Sequence, residues 1–232
     1  VLRPGFETTA PSTALTVLRA AAEGIENFSI MCQHIIIIPT LRALLSEDGF
    51  RVDGFIGPGH VSMVIGTRPY DFIAAEFHRP LVVAGFEPLD ILQSLLMVLR
   101  QVEAGAARIE NQYARVVHED GNPAAMAAID RVYETRPACE WRGLGTIAGS
   151  GLGLRPAWHA FDAERRFAVT PHHVADPGAC RCGDVLTGRI RPTQCPAFGT
   201  SCTPDCPSGA LMVSSEGACA AYYQYQGQKG AA

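Results

Sequence analysis

No two cysteines of this 232-residue chain are spaced C-x2-C, although there are eight of them. The paired knuckles from which structural zinc sites are usually built are therefore missing. Basic charge is not in excess: 19 Lys and Arg against 23 Asp and Glu give a formal net charge of −4, which leaves no electrostatic footprint for nucleic acid or an anionic membrane. Small molecules and proteins are the expected partners. A long unbroken hydrophobic run is also lacking. The most apolar window, "LVVAGFEPLDILQSLLMVL", carries Glu87, Pro88 and Asp90, so no membrane span is expected and the chain reads as soluble. The first residue is Val1 rather than Met, and "VLRPGFETTAP" opens at once on a strand-to-helix turn. We expect a fragment without its N-terminal part, and any targeting signal would lie in that part.

What is present is ordinary globular composition, 47% hydrophobic and 18% charged, enough for one large domain or two modest ones. Residues 11–24 read as an amphipathic helix opened by Pro11 and closed by Gly24, and "PTLRALLSEDG" repeats that grammar between Pro39 and Gly49. Short apolar runs, "FSIMC", "VDGFIG" and "LVVAG", read as buried strands. Their alternation with helices predicts an α/β fold, a mostly parallel sheet with flanking helices. Gly-Phe-Glu recurs at Gly5 and Gly85, each time at a turn opening a helix, and "GFIGPGHVS" places Gly57, Gly59 and His60 past another strand.

Open parallel sheets bind ligands beyond the carboxyl ends of their strands, so Glu7, His60 and Glu87 are the candidate cleft residues. Each also has a plain structural role available. An acid in the first turn of a helix complements its dipole by about 0.3–1 kcal/mol, and a histidine at a turn is commonly a hydrogen-bonder. Gly57 and Gly59 are expected to serve positive φ. From Leu89 to about Val117 the pattern is helical, and Ile91, Leu92, Leu95, Leu96 and Leu99 are so apolar that the helix is expected in the core. After Glu134 the texture becomes Gly- and Pro-rich, which suggests an α/β part over 1–134 and a second domain over 135–232, with "QGQKGAA" a disordered tail.

Seven cysteines lie in that second part, six of them from Cys180 onward. Starting at Cys182, the spacing is C-x12-C-x6-C-x16-C through Cys195, Cys202 and Cys219, with Cys180 and Cys206 over. Three readings are open. Disulfides suit small secreted scaffolds, which this chain does not resemble. Zinc favours closer pairs. An iron–sulfur cluster takes thiolates from several loops at irregular spacing, with backbone amides of Gly-rich turns offsetting the charge. Cys32 and Cys139 read as buried small hydrophobes, and His34 as a weaker candidate ligand. Glu216 stands where it could orient the Cys219 loop, and Tyr222 and Tyr223 where they could exclude water from it.

"GFETTAP", "VDGFIGPGHVS", "VVAGFEPLDILQS", "WRGLGTIAGSGLGLR", "CRCGDVLTG" and "LMVSSEGACAAYY", in that order up to about Tyr225, together resemble the HypD family of [NiFe]-hydrogenase maturation proteins. The resemblance implies a [4Fe–4S] cluster in a C-terminal iron–sulfur domain, carried over onto Cys182, Cys195, Cys202 and Cys219, with Cys180 as the substitute for Cys182. It further implies a cytoplasmic assembly scaffold with an electron-transfer role rather than a conventional enzyme. The partners it implies are a HypC-type chaperone, on which an iron ion acquires its ligands, and HypE, which supplies cyanide. The finished Fe(CN)2CO unit passes to the hydrogenase large subunit precursor. The iron-binding cysteine of the family lies in a Gly-Pro-Gly-Cys-Pro-Val-Cys type segment, which is not in this sequence. Ile35 and Ile38 stand where the family tends to have Lys and Pro, and Cys206 is an extra thiol. The alternative is a metal- or cluster-stabilised α/β enzyme acting on a small anionic substrate at Glu7, His60 and Glu87.

Overall fold

The computed structural model describes residues 2–168 and 178–226. Of the expected disordered tail, everything after Gln226 lies outside the described residues. The chain forms two compact units, one of Val1–Arg42, Asp53–Cys139 and Ala148–Thr170, the other of Ala43–Val52, Glu140–Ile147 and Pro171–Ala232.

The first unit is α/β, and its parallel strands fall into two small sheets. In one, β1 (Leu2–Gly5) pairs in parallel with β2 (Met31–His34), crossing over through α1 (Ala10–Ala22). Pro11 sits in the first turn of α1, where its missing N–H costs nothing, and Ala10, Ala14 and Val17 form the buried stripe. The next helix, α2 (Ile37–Leu45), begins two residues before Pro39 because the Glu7 carboxylate accepts the Ile37 N–H at 2.7 Å. A cap from a distant residue sets that boundary, and Pro39 simply tolerates the first turn.

The other sheet is β3 (Phe55–Pro58), β4 (Leu81–Ala84) and β5 (Ile109–Asn111), all parallel, with β4 central and buried along its length. Helices α3 (Gly59–Ile65) and α4 (Asp71–Ala75) connect β3 to β4, and α5 (Pro88–Glu103) connects β4 to β5. The expected helix to Val117 ends at Glu103, where Gly105 takes φ +61° and lets the chain leave the helix.

The expectation that α5 is core is overturned: Leu92, Leu95, Leu96 and Leu99 are exposed. Its inward face is polar instead, with Asp90, Ser94 and Gln101 buried. These groups satisfy one another and their surroundings: Ser94 Oγ donates to the Asp90 carbonyl, while Gln101 accepts from the Arg108 N–H and donates to Glu110. Gly57 and Gly59 are also corrected. Neither has positive φ. A Cβ on Gly59 would lie 2.3 Å from the Ala84 carbonyl oxygen, and one on Gly57 2.8 Å from Leu81, so close approach of strand and helix is what requires them.

Two long strands, β6 (Tyr133–Trp141) and β7 (Gly145–Leu154), form a hairpin in the stretch where little periodic signal was read. Glycines hide the strand because they lack β propensity, yet Gly149, Gly151 and Gly153 pack against Thr135, Cys139 and Arg136 of the partner strand. The core of this unit joins α1, β2, β7 and α6 (Pro123–Val132) through Ala14, Val17, Ile30, Ile129, Val132 and Leu152, and α7 (Ala163–Arg166) follows on β2.

The second unit is built of short pieces: α8 (Cys182–Leu186), a 3-10 turn at Pro192–Gln194, α9 (Ala210–Val213) and α10 (Ala218–Gln226). Its core is small, consisting of Ala197, Cys202, Met212, Cys219 and Ala220.

Candidate functional site

In the second unit the folding of short elements brings distant cysteines together. Cys182 begins α8, Cys195 follows the 3-10 turn, Cys202 closes a bridge with Phe198, and Cys219 sits in the first turn of α10. These four and Cys180 line one narrow cavity of about 10 Å³. The rest of its wall is largely apolar, from Val185, Ala197, Phe198, Leu211 and Met212, with Arg181 adding a charge. Tyr223 packs edge-on against Phe198 with ring centroids 6.1 Å apart. Glu216 is exposed, and its N–H bonds Ser214 Oγ.

The thiols are not equivalent. Cys219 is pushed up to about 11, first by burial and then by the nearby Cys195, Cys202 and Cys180. The Cys182 sulfur lies 2.2 Å from where a Cβ on Gly143 would come, and Gly143 takes φ +81°. The Cys180 sulfur stands in the same relation to Gly209. Cys202 Sγ accepts the Ser208 N–H at 3.4 Å, while Cys206 is exposed. All eight cysteines are free thiols. Among the described residues no three Cys, His, Asp or Glu groups converge tightly enough for a single metal ion. Cys180 also borders a second, polar cavity of about 300 Å³, walled by Glu47, Arg181, Asp184 and Arg189. Asp184 is held below the usual carboxylate range by Arg181 and then Arg189.

The three carboxyl-edge candidates are placed differently from one another. Glu7 follows β1 and belongs to the two-stranded sheet, whereas His60 and Glu87 follow β3 and β4 of the other. Glu7 is buried, one oxygen capping α2 and Oε2 without a hydrogen-bond partner, and burial raises its pKa. His60 stacks on Phe86 at 3.9 Å, Phe86 meets Tyr113 edge-on at 6.1 Å, and the Arg115 guanidinium lies 4.5 Å above the Tyr113 ring. Arg115 then forks onto Asp90 at 3.0 and 2.5 Å, holding that carboxyl far below its ordinary range. Sequence reading missed this chain of contacts. Asp90 had a signal, the helix-opening "EPLD", but Arg115 lies 25 residues further on with nothing local to mark it. His34 is buried, its Nδ1 3.5 Å from Cys32 Sγ, and burial raises the Cys32 pKa.

Comparison with known proteins adds a family-level match. The family model HypD, described as the hydrogenase formation hypA family, matches residues 2–226. The hydrogenase maturation factor HypD of Rhodobacter capsulatus is 60% identical over 231 residues, covering 98% of this chain and 61% of that protein. That of Escherichia coli K12 is 55% identical, over 97% of this chain and 60% of its own length. That of Cupriavidus necator is 48% identical, over 95% and 60%. The chain thus spans about three fifths of the length of these curated relatives.

Proposed function

The chain belongs to the HypD family, and from that membership we propose that it works in [NiFe]-hydrogenase maturation as a scaffold and redox component for assembly of the Fe(CN)2CO unit. The iron unit is cargo, built together with a HypC-type chaperone and HypE and passed on to the hydrogenase large subunit precursor. The names of the relatives, hydrogenase maturation factors, support this reading. No described helix is long and apolar enough to cross a membrane. We place the work in the cytoplasm, where thiols stay reduced.

The observation that carries the chemical part is the set of thiols lining one apolar cavity. Soft thiolates in a dry wall suit iron and sulfide. A [4Fe–4S] cluster takes its thiolates from several loops, as these cysteines come from separate short elements. We assign it to Cys182, Cys195, Cys202 and Cys219, with Cys180, which lines the same cavity, as the substitute for Cys182. When bound, such a group supplies one-electron transfer.

The chain's own residues prepare that site. Cys219 would hold the group from the first turn of α10, where burial and the neighbouring Cys195, Cys202 and Cys180 push its thiol up to about 11. Val185, Phe198, Leu211 and Met212 keep water from the cavity, and Cys180 stands between it and the polar cavity at Arg181 and Asp184, the side from which a reductant would approach. The other reading, an α/β enzyme handling a small anion at Glu7, His60 and Glu87, is less well supported. Glu7 is committed to capping α2, and the nearest cation, Arg115, is committed to Asp90.

The test is anaerobic reconstitution with iron and sulfide. Wild type should turn brown, hold acid-labile sulfide equal to its iron, and bleach with dithionite. Cys182→Ala, Cys195→Ala, Cys202→Ala and Cys219→Ala should each lose most of the iron, while Cys206→Ala keeps it. Retention in Cys182→Ala with loss in Cys180→Ala would move the first ligand to Cys180. A colourless protein carrying stoichiometric zinc would refute the cluster.

A further inference from the structure

His60 is exposed and its ring nitrogens have no hydrogen-bond partner among the described residues, yet its ring lies flat on Phe86, with planes 23° apart. Phe86 is itself 54% exposed. A pair of rings stacked at a surface gains little from burial, so the pair alone does not keep the imidazole in one place. What fixes it lies beneath. Phe86 meets Tyr113 edge-on, and both rings close over glycine: a Cβ on Gly59 would stand 3.0 Å from Tyr113 and 3.1 Å from Phe86, and one on Gly85 2.9 Å from Tyr113. The rings rest directly on backbone.

Tyr113 is held in turn by Arg115, whose planar guanidinium covers the ring at 4.5 Å while its two outer nitrogens fork onto Asp90. Asp90 is tied from other sides as well. Gln112 donates to it at 2.8 Å and accepts the Gly85 N–H at 3.1 Å, and the Glu87 N–H reaches Asp90 at 3.4 Å, so the loop that carries Phe86 is pinned before and after the ring. Because Arg115 holds the Asp90 carboxyl far below its ordinary range, the fork does not come and go with pH. It is a fixed support. A fork that served stability alone would end at Asp90, whereas this one continues through two aromatic rings to an exposed imidazole. Lysine would supply the charge but neither the plane nor the paired bonds.

We propose that Arg115 is a positioning residue for His60: anchored on Asp90, it fixes Tyr113, Tyr113 fixes Phe86, and Phe86 holds the imidazole at the carboxyl edge of β3 with both nitrogens open. That support serves the edge equally whether it handles the iron unit or a small anion. Nuclear magnetic resonance of the histidine rings in the full chain tests this, with the His60 signals identified by their loss in His60→Gln. In the wild type the His60 ring protons should lie upfield of a free-peptide histidine, shifted by the face of Phe86, and should show Overhauser contacts to that ring. Arg115→Met and Tyr113→Leu should return the signals to the free-peptide position and abolish the contacts. Tyr113→Phe keeps the ring and should leave both unchanged. Arg115→Lys keeps the charge without the fork and should behave like Arg115→Met. The His34 signals, from the other sheet, should stay in place throughout and mark the fold as intact; if Arg115→Met loses them, Arg115→Lys decides. His60 signals that do not move in Arg115→Lys overturn the proposal. So does a wild type without contacts between His60 and Phe86.

Discussion

Two buried or half-buried carboxyl groups of the first unit respond to pH in opposite directions. Glu7 has its folded pKa raised by burial, so its contribution to stability is full below the unfolded value near about 4.3 and declines as pH rises above it, where the unfolded chain releases the proton first. Glu7→Gln keeps an acceptor for the Ile37 N–H and removes that decline. We predict that urea denaturation will show the variant gaining on wild type between pH 4 and pH 7. Asp90 is the reverse case: Arg115 lowers its folded pKa, so its contribution is present above about pH 4 and lost as pH falls further. Asp90→Asn should therefore be less stable than wild type at neutral pH, with the gap closing in acid. A third test concerns Gly59, where an added Cβ meets backbone rather than a movable side chain. Gly59→Ala should cost about 1–3 kcal/mol by chemical denaturation, whereas Gly178→Ala, with open space around it, should cost almost nothing. The glycines were legible in the sequence as necessary. The reason for Gly59 was not, because the atom it makes room for belongs to a strand 25 residues away.

At the scale of elements, α5 shows what a pattern of leucines can and cannot say. Its periodicity gave the helix and its start, but not its end, which falls at Glu103 rather than near Val117. Which face turns inward was decided by polar groups at the end of β4 and around β5, which draw Asp90 and Gln101 into satisfied contacts. Ile30→Ala, at a fully buried core position, should therefore cost about 2–5 kcal/mol, while Leu92→Ala in dilute solution should stay within about 0.5 kcal/mol of wild type. Equal losses in equilibrium denaturation would contradict the exposed placement of Leu92. The β6–β7 hairpin was the converse failure. Its glycines suppress the strand signal, yet they are what lets the two strands and their side chains approach.

At the scale of the whole molecule, the two units are stabilised by different means. The first has a continuous apolar core through α1, α6 and β7, while among the described residues the second has a cluster of five buried residues, two of them cysteines. A unit with so little apolar burial gains disproportionately from a bound group. Loading iron and sulfide should slow hydrogen exchange in α8, in α9 and around Cys195, and leave α1 unchanged. Uniform protection across both units would argue against a local site. The sequence by itself determined the α/β class, the start of α1 at Pro11, the family and the concentration of thiols after Cys180, because these depend on local backbone preference and on residue order. Only the tertiary structure decided that five of those thiols line one cavity, which face of α5 meets solvent, and that Glu7 caps α2. Each of those depends on groups far apart in the chain, whose approach is fixed by burial and by satisfying polar atoms that no local pattern records.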